Sequence, residues 1–320
     1  MRIYSINKTY KPFTDKVSLN YLQSKGITYT SKILTSDILL SSSTNSKIFK
    51  IFKILFFWKK FLVYTNEPRE DYSFNNFEKK NLIIMNVYSG NVFFNNLHFL
   101  GSYHYDFTNN LGIPFNKNQI QNKTSNYQKE KNCAAIFGYK NPNQSTLFKN
   151  NEDISLNAYR QNLAIFLNSK GKCDIIGGGW PNTIEVIEES GFESGGQTWW
   201  DRKISLLKNY KFNICIENTA YPYYCTEKLW HAIASGCLPI YYGKNTAIYD
   251  TFNDNSFIDA STFNTFEELY TFLNEMSESE YSERFENCKK IMLKSLLNKQ
   301  HANKMEILDR FILNMKKLTN

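Results

Sequence analysis

The sequence contains few of the residues that build metal centres and disulfide frameworks. Its 320 residues include four histidines and six cysteines, and neither group has the close, paired spacing that zinc ligands or disulfide scaffolds show. The cysteines are Cys133, Cys173, Cys215, Cys225, Cys237 and Cys288. Three of these fall in predicted strands or helices, so we expect reduced, buried thiols that behave as small apolar side chains.

Long apolar runs are also absent. The nearest candidate, Ile48–Val63, contains four lysines and falls well short of the roughly 20 apolar residues that span a bilayer, so we expect an amphipathic helix followed by a strand. The opening run Met1–Ile6 is too short for a secretion signal, because polar residues follow at once. These features predict a cytoplasmic protein, with peripheral membrane contact left open.

The composition is that of a globular chain with room for two domains. Hydrophobic residues make up 42% of the sequence and aromatic residues 16%, which is enough to build two cores. The formal net charge of +8 suits an anionic ligand or a membrane surface, but a lysine excess of this size also serves solubility alone. A nucleic-acid partner is not expected, because the basic residues are scattered and no reading motif accompanies them.

Short apolar runs alternate with helical stretches through the first third of the chain, which predicts an open α/β sheet. The runs are Arg2–Ile6, Asp37–Leu40, Phe61–Thr65, Leu82–Val87 and Val92–Leu100. The polar stretch Asn116–Asn132 has almost no hydrophobic residues and no helical period, so it is the best linker candidate. We therefore place the domain boundary near Tyr127, which gives domains 1–127 and 128–320.

The most informative segment of the second domain has the pattern of a strand, a turn, a helix and a second strand. Phe212–Ile216 is short, β-prone and mostly apolar, as a central parallel strand should be. Thr226 can cap the following helix, Gly236 suits its left-handed stop, and Leu238–Tyr242 forms the second strand. The segment is the size of a βαβ unit, and open α/β folds bind ligands at the turn from strand to helix.

Lys228 breaks a local rule in this unit. It lies beside Glu227 in the first helical turn, where the helix dipole favours anions over cations. One interpretation is a solvated lysine tip next to a glutamate that suits the dipole. The other is that Lys228 and the free amides of the helix start jointly hold a phosphate group.

Arg160 is a second cation in an unexpected position. It falls on the apolar stripe of a helix that we predict over residues 155–168. The stripe consists of Leu156, Arg160, Leu163 and Leu167. A buried guanidinium needs a partner because its desolvation is costly. That partner is a phosphate or carboxylate ligand or an internal ion pair, unless the side chain snorkels outward.

From residue 210 to residue 243 the chain resembles the donor-binding signature of the α-1,3/1,4-fucosyltransferases, glycosyltransferase family ten. The family pattern is roughly YKF-x-L-x-FEN, then Y-x-TEK, a small-residue helix and P-x-x-x-G, and nearly every marked position is filled here. Ile216 and Cys225 depart from the pattern, both at packing positions. The resemblance implies an α/β fold of the GT-B class, with two Rossmann-like domains facing each other across a cleft.

The same resemblance implies an activity. The expected reaction is the inverting transfer of L-fucose from GDP-fucose to a GlcNAc or Glc hydroxyl of a lactosamine- or lactose-type glycan, with an α-1,3 or α-1,4 linkage and no required metal. The chain contains no Asp-x-Asp motif, which metal-dependent transferases of the other common fold use. Two alternatives stay open: a GT-B transferase for another nucleotide sugar, and a sugar-nucleotide-binding module without catalysis.

The resemblance also implies roles for individual residues of the second domain. Arg160 and Lys228 are expected to hold the diphosphate in place of a metal ion. Glu227 is expected to accept hydrogen bonds from ribose hydroxyls. Asn218 and Tyr224 are expected to offer polar contacts in the loop, although an asparagine at a turn also commonly bonds its own turn.

The catalytic base is expected in the first domain. The segment Tyr64-Thr-Asn-Glu-Pro68 is similar to the family's Tyr-Thr-Gly-Glu-Asn segment, which implies that Glu67 removes the acceptor proton. It follows a predicted strand, and the carboxyl end of a strand is where such sheets place their chemistry. Asn66 and Pro68 depart from the family pattern, and Glu70 is the substitute candidate.

The carboxyl end of the chain, from Glu280 onward, has the pattern of lysine-rich helices. Bacterial members of the family can carry basic amphipathic tails that touch membranes. The other interpretation is a domain-crossing terminal helix with a solvated lysine face.

Overall fold

The structure is a computed structural model in which the chain forms two compact units. It describes residues 1–7, 11–65, 67–68, 81–86, 117–141, 146–149, 151–189, 199–222, 224–297 and 304–319. Within that part of the chain, the first unit combines the residues up to Asn86 with the C-terminal helix, and the second unit runs from residue 117 to residue 297.

The first unit is built on a parallel sheet. In chain order its elements are β1 (Arg2–Ser5), α1 (Lys16–Ser24), β2 (Thr28–Thr30), β3 (Ile38–Ser41), α2 (Lys47–Leu55), β4 (Lys60–Thr65) and β5 (Leu82–Asn86). The strand order is β2-β1-β3-β4-β5, and every described pair is parallel. Four of the five predicted apolar runs are thereby confirmed as strands, and the fifth, Val92–Leu100, lies outside the described residues.

Burial and capping explain these elements locally. All four residues of β3 are buried, as expected for a strand that is covered on both faces. Ser46 begins α2 because its hydroxyl oxygen accepts a hydrogen bond from the Phe49 N–H at 3.0 Å, which satisfies one of the unpaired donors of the first turn. The core cluster that α2 covers consists of Ile6, Leu39, Phe49, Phe61, Val63, Leu82 and Ile84. The predicted amphipathic helix followed by a strand is thus confirmed by α2 and β4.

The second unit contains a second parallel sheet, of order β12-β11-β10-β6-β9. In chain order its elements are α3 (Lys117–Gln121), β6 (Lys131–Ile136), β7 (Phe148–Lys149), β8 (Glu152–Asp153), α4 (Asn157–Ser169), β9 (Cys173–Ile176), α5 (Trp199–Leu207), β10 (Tyr210–Ile214), α6 (Glu227–Ser235), β11 (Leu238–Tyr241), β12 (Ile258–Asp259), α7 (Phe266–Glu275) and α8 (Glu278–Leu297). The short strands β7 and β8 pair antiparallel to each other.

The predicted βαβ unit is confirmed as β10, α6 and β11. The strand β10 begins and ends two residues earlier than predicted, and it lies at the centre of the sheet between β6 and β11. Gly236 ends α6 with a φ of +91°, the left-handed conformation that glycine adopts without penalty.

The division into units differs from the predicted boundary near Tyr127, because the polar stretch around it is packed rather than extended as a linker. The side-chain amide of Asn126 is buried and donates to the carbonyl oxygens of Tyr210 (2.9 Å) and Ser235 (3.1 Å). A polar side chain that satisfies buried carbonyls stabilises the unit that contains it. Polar composition alone could not distinguish this role from that of a linker.

The C-terminal helix, α9 (Lys304–Thr319), belongs to the first unit, although the predicted boundary placed it in the second domain. The ring of Phe311 lies 5.1 Å from that of Phe13 and 5.8 Å from that of Tyr64. The apolar positions of α8 are also buried, at Tyr281, Phe285, Cys288 and Met292. Both terminal helices therefore bury their main apolar faces within their own units. This favours the interpretation in which their lysines form a solvated face over the interpretation of a tail that touches membranes.

Each unit is an α/β layer built on a five-stranded parallel sheet, and the predicted α/β class is confirmed. The six cysteines are buried and carry free thiols, as predicted. Among the described residues, no helix combines the length and the apolarity needed to cross a membrane.

Candidate functional site

Glu217 lies at the centre of a polar cluster beyond the carboxyl end of β10. Its side chain is only 2% exposed. Its Oε1 atom accepts hydrogen bonds from the N–H (2.7 Å) and the hydroxyl (2.6 Å) of Thr226. Thr226 is the residue before α6, as predicted, but its own side chain makes no capping bond. The strand therefore fixes the start of the helix through the Glu217 carboxylate.

Lys228 is held by the same carboxylate. Its Nζ lies 2.8 Å from Glu217 Oε2, 2.7 Å from Thr226 Oγ1 and 3.7 Å from Glu227 Oε1. Burial disfavours the charged form of the lysine, but the carboxylates of Glu217 and Glu227 outweigh it and raise the pKa of Lys228. The side chain is 20% exposed, so it is an ordered ammonium group and not the solvated tip of the first interpretation.

Glu227 is the first residue of α6. A carboxylate at this position suits the positive end of the helix dipole, and it lowers the cost of the lysine that follows. Glu217 and Glu227 together explain how a cation is tolerated in the first helical turn.

Arg160 lies in α4 and is buried, as its place on the apolar stripe predicts. Its guanidinium donates to Asn157 Oδ1 at 2.8 Å and to the Ile216 carbonyl oxygen at 3.3 Å, and it stacks over the Phe137 ring at 4.7 Å. The Ile216 bond ties α4 to the segment that carries Glu217. The charge of Arg160 also opposes the positive charge of Lys228 by lowering its pKa, so the structure brings the two predicted cations together.

Asn218 and Tyr224 are placed in the loop between β10 and α6. The Asn218 Oδ1 atom accepts a hydrogen bond from the Thr219 hydroxyl at 2.9 Å, and its carbonyl oxygen accepts one from the Leu156 N–H at 2.9 Å. Tyr224 is buried, and its carbonyl oxygen accepts from the Tyr241 hydroxyl at 3.2 Å. The bond that Asn218 makes to its neighbour agrees with the interpretation that it stabilises its own turn. Ligand contacts of both residues stay predictions.

Glu67 lies in the first unit, two residues beyond β4, at the carboxyl end of the strand where it was predicted. Its side chain is exposed, and its backbone N–H donates to Thr65 Oγ1 at 3.2 Å. That bond fixes the direction in which the chain leaves the strand. Asn66 and Glu70 lie outside the described residues.

A cavity of about 660 Å³ opens beyond β11 and β12. Asp259, one of the charged residues that line it, already accepts hydrogen bonds from the N–H groups of Gly243 (2.8 Å) and Ser261 (2.9 Å) and from the Tyr249 hydroxyl (2.7 Å). This carboxylate is satisfied by groups of the second unit itself, so we do not assign it to the site. Among the described residues, no group of three or more His, Cys, Asp or Glu side chains has a metal-binding arrangement.

The segment that contains the α6 start matches a protein-family model. Residues 155–311 match the model of the glycosyltransferase family 10 (fucosyltransferase) C-terminal domain, and this segment contains Arg160, Glu217 and Lys228. These residues of the chain form a glycosyltransferase family 10 domain.

Relatives of this chain carry fucosyltransferase names. An alpha-(1,4)-fucosyltransferase of Arabidopsis thaliana is 34% identical over 112 residues, which is 35% of this chain and 28% of the relative. The alpha-(1,3)-fucosyltransferase FucT of Helicobacter pylori is 39% identical over 71 residues, which is 22% of this chain and 15% of the relative. The matched segments thus span less than a third of either relative.

A solved structure extends the similarity to the whole fold. A crystal structure of an alpha1,3-fucosyltransferase with GDP-fucose has a TM-score of 0.50 and 18% identity, and the alignment covers 100% of this chain and 90% of that one. At this identity the similarity supports the fold. Together with the two parallel-sheet units, it confirms the GT-B class of the chain.

Sequence reasoning missed two charged groups in this family 10 site. Glu217 was part of the recognised pattern but was assigned no role, although a carboxylate directly after the apolar run Ile214–Ile216 was a signal. Lys203, in α5, is only 4% exposed. Burial lowers the pKa of Lys203, while Glu227 and Glu217 oppose that shift. Its spacing of four residues from the buried Leu207 was the available signal, because residues four apart share a helix face.

His231, in α6, is a third buried group that the sequence did not single out. Burial lowers the pKa of His231 from 6.5 to about 3, and the charges of Lys203 and Lys228 add to the effect. The imidazole is therefore neutral at physiological pH. Because it is neutral, His231 adds no further positive charge beside Lys203 and Lys228.

We expect the stability of the chain to fall as the pH drops from 6.5 towards about 3. In this window the unfolded chain binds a proton at His231 and the folded chain does not, so unfolding takes up a proton. Over the full window, the free energy of unfolding should fall by at most about 5 kcal/mol. Urea unfolding at a series of pH values should show a smaller decline for His231→Gln than for the wild type, and parallel curves for the two proteins would contradict the assignment.

Proposed function

We propose that this chain is an inverting, metal-independent fucosyltransferase. In this proposal, L-fucose moves from GDP-fucose to a GlcNAc or Glc hydroxyl of a lactose- or N-acetyllactosamine-type glycan and forms an α-1,3 or α-1,4 linkage. The family 10 domain and the fucosyltransferase names of the relatives support it. The single observation that carries it is the pair of ordered cations, Arg160 and Lys228, beside the start of α6.

The diphosphate is proposed to bind where these cations meet the helix start. Negative charge develops on the leaving GDP, and basic side chains together with free helix amides stabilise it. Glu217 holds the ammonium of Lys228 at 2.8 Å before any ligand arrives. Charge that is already in place costs little reorganisation during the reaction, so such groups contribute several kcal/mol of barrier reduction.

The remaining roles complete the reaction. The acceptor oxygen forms the new bond to C1 of fucose while the bond from C1 to the β-phosphate oxygen breaks, and attack from the opposite face inverts C1. Glu67 takes the proton of the acceptor hydroxyl. Glu227 accepts hydrogen bonds from the ribose hydroxyls, and Asn218 and Tyr224 supply loop contacts to the nucleotide.

A transfer assay tests the proposal. The wild type is incubated with GDP-fucose, GDP-mannose or UDP-sugars, and with lactose, N-acetyllactosamine or its type 1 isomer as acceptor. Among the donors, we expect only GDP-fucose to give a glycosylated product. EDTA should not change the rate of that transfer. Transfer from another donor, or loss of transfer in EDTA, would contradict the assignment of donor or of metal independence, respectively.

A binding module without catalysis is the second candidate, and one observation favours it. The segment that carries Glu67 departs from the family pattern at Asn66 and Pro68, and Pro68 is buried, so the residues on both sides of the proposed base differ from those of the pattern. The same assay separates the two functions. GDP-fucose binding in calorimetry without product on any of the three acceptors would favour the binding module.

A further inference from the structure

Exposed large hydrophobic side chains are concentrated on one part of the first unit. Of the thirteen that the described residues expose, seven lie at position 34 or between positions 48 and 58. We call this set the α2 patch. It consists of Leu34, Ile48, Ile51, Ile54, Leu55, Phe57 and Trp58. An apolar concentration of this kind on a soluble domain marks an interaction surface.

The helix α2 has two apolar faces, and the unit buries only one of them. Phe49 is buried in the core cluster, and Phe52 and Phe56 pack against it. Ile48, Ile51 and Leu55 follow one another at three and four residues, so they form a second stripe on the same helix. This second stripe is exposed, and Ile54 beside it is 75% exposed.

The patch ends in an ordered aromatic corner. The rings of Phe57 and Trp58 lie edge to face with their centroids 5.1 Å apart, and Trp58 is 58% exposed. The Nζ atom of Lys59 donates to the carbonyl oxygens of Leu34 (3.2 Å) and Ser36 (2.6 Å). These bonds hold the exposed Leu34 next to the corner, so the apolar surface continues beyond the helix.

The segment that carries six of the seven patch residues has charges of a single sign. Five lysines, and neither aspartate nor glutamate, occur between Asp37 and Glu67. The lysines are Lys47, Lys50, Lys53, Lys59 and Lys60. Lys47 and Lys50 lie on the exposed side of α2, so the positive charge is at the same surface as the apolar stripe.

We propose that the α2 patch docks this chain on an anionic lipid surface. Isoleucine, phenylalanine and tryptophan enter the boundary between headgroups and acyl chains, and the lysines contact lipid phosphates. The cores of protein interfaces are depleted in lysine, whereas interfacial helices combine lysine with large apolar and aromatic side chains. The helix lies on the surface and does not span it, which agrees with its nine residues.

Vesicle sedimentation tests the proposal. Full-length protein is mixed with vesicles of phosphatidylcholine alone or with about one-third phosphatidylglycerol, at low and at high salt. We expect binding to the anionic vesicles that weakens as salt is raised, because the lysine contribution is screened. The apolar variant is Ile51→Ser/Ile54→Ser/Leu55→Ser, and the charge variant is Lys47→Glu/Lys50→Glu. Each should bind the anionic vesicles more weakly than the wild type by a factor of about ten or more.

The C-terminal helix α9 supplies matched controls. Leu313→Ser removes another exposed apolar side chain, and Lys316→Glu/Lys317→Glu makes the same charge change as the α2 charge variant. Both controls should bind like the wild type. All of these residues are exposed on their helices, and circular dichroism checks that each variant folds.

A site-specific readout comes from Trp58. Brominated phosphatidylglycerol should quench part of the tryptophan emission of the wild type, and that part should be missing in Trp58→Phe. The proposal is overturned if the α2 variants sediment like the wild type, if only the α9 charge variant loses binding, or if Trp58 is not quenched. It is also overturned if the patch variants dissociate an oligomer that forms without vesicles, because the occupant would then be a second copy of the chain.

Discussion

Replacing Lys228 with methionine is expected to lower kcat for fucosyl transfer by about 10²–10³-fold, the loss seen when one preorganised group is removed from a developing anion. The side chain keeps its length and loses its charge, so the diphosphate meets Glu217 without the ammonium group between them. GDP should also bind more weakly to the variant. Initial rates with GDP-fucose and calorimetry with GDP measure the two effects.

The variant has a second consequence that must be separated from the first. The side chain of Glu217 is 2% exposed. Loss of Lys228 leaves the buried charge of Glu217 with one ion-pair partner fewer, and breaking a buried ion pair typically destabilises a fold by about 3–5 kcal/mol. The double variant Glu217→Gln/Lys228→Met removes the buried charge together with its partner. We expect it to regain most of the melting temperature and none of the activity.

These two outcomes distinguish a functional from a structural lysine. If the double variant regained activity together with stability, Lys228 would serve mainly to neutralise Glu217. If Lys228→Met lost stability but transferred fucose at the wild-type rate, the proposed diphosphate site would be wrong. The Thr226 hydroxyl, which bonds both Glu217 and Lys228, stays in place in either variant.

The sequence predicted those parts of the fold that depend on local pattern. The βαβ unit, the left-handed Gly236 and the buried position of Arg160 follow from apolar periodicity and glycine conformation, which act over a few residues. The packed role of Asn126 and the return of α9 to the first unit depend on contacts between distant parts of the chain. Composition carries no record of such contacts, so the predicted boundary near Tyr127 fell inside a packed unit.

The candidate site shows the same limit. Lys228 could be identified from the sequence because it violates the helix-dipole rule. The ion pair that explains it, with Glu217, connects the end of a strand to the start of a helix, so it cannot be predicted from local pattern. Arg160 was expected to need a partner, and its hydrogen bond to the Ile216 carbonyl again spans two elements. Lys203 escaped notice because a lysine on a helix is usually solvated, and only the packed structure shows that it is buried.

The cluster holds more basic than acidic groups. Arg160, Lys203 and Lys228 lie near Glu217 and Glu227, which gives three basic side chains against two carboxylates. The carboxylates offset the repulsion among the basic side chains when the site is empty. A bound diphosphate adds negative charge to a region that already holds its counter-charges in place, which is the arrangement that favours a charged leaving group.

Replacing Glu67 with glutamine is expected to lower kcat by about 10²–10⁴-fold, the usual contribution of a positioned general base. The amide cannot take the proton of the acceptor hydroxyl, but it keeps the size of the side chain. Glu67 is exposed, so its replacement should leave the melting temperature unchanged. Because the proposed diphosphate contacts are unchanged, the affinity for GDP should also match that of the wild type. The loss of activity should therefore be seen in kcat.

Glu70→Gln is the matched comparison, since it makes the same chemical change three residues further along the sequence. If Glu67 is the base, Glu70→Gln should transfer fucose within a few-fold of the wild type. A large loss in Glu70→Gln with normal rates in Glu67→Gln would move the base to Glu70, as the departures at Asn66 and Pro68 allow. Normal rates in both variants would show that the proton leaves by another route, because a carboxylate that acts as the base cannot be replaced by an amide without loss of rate.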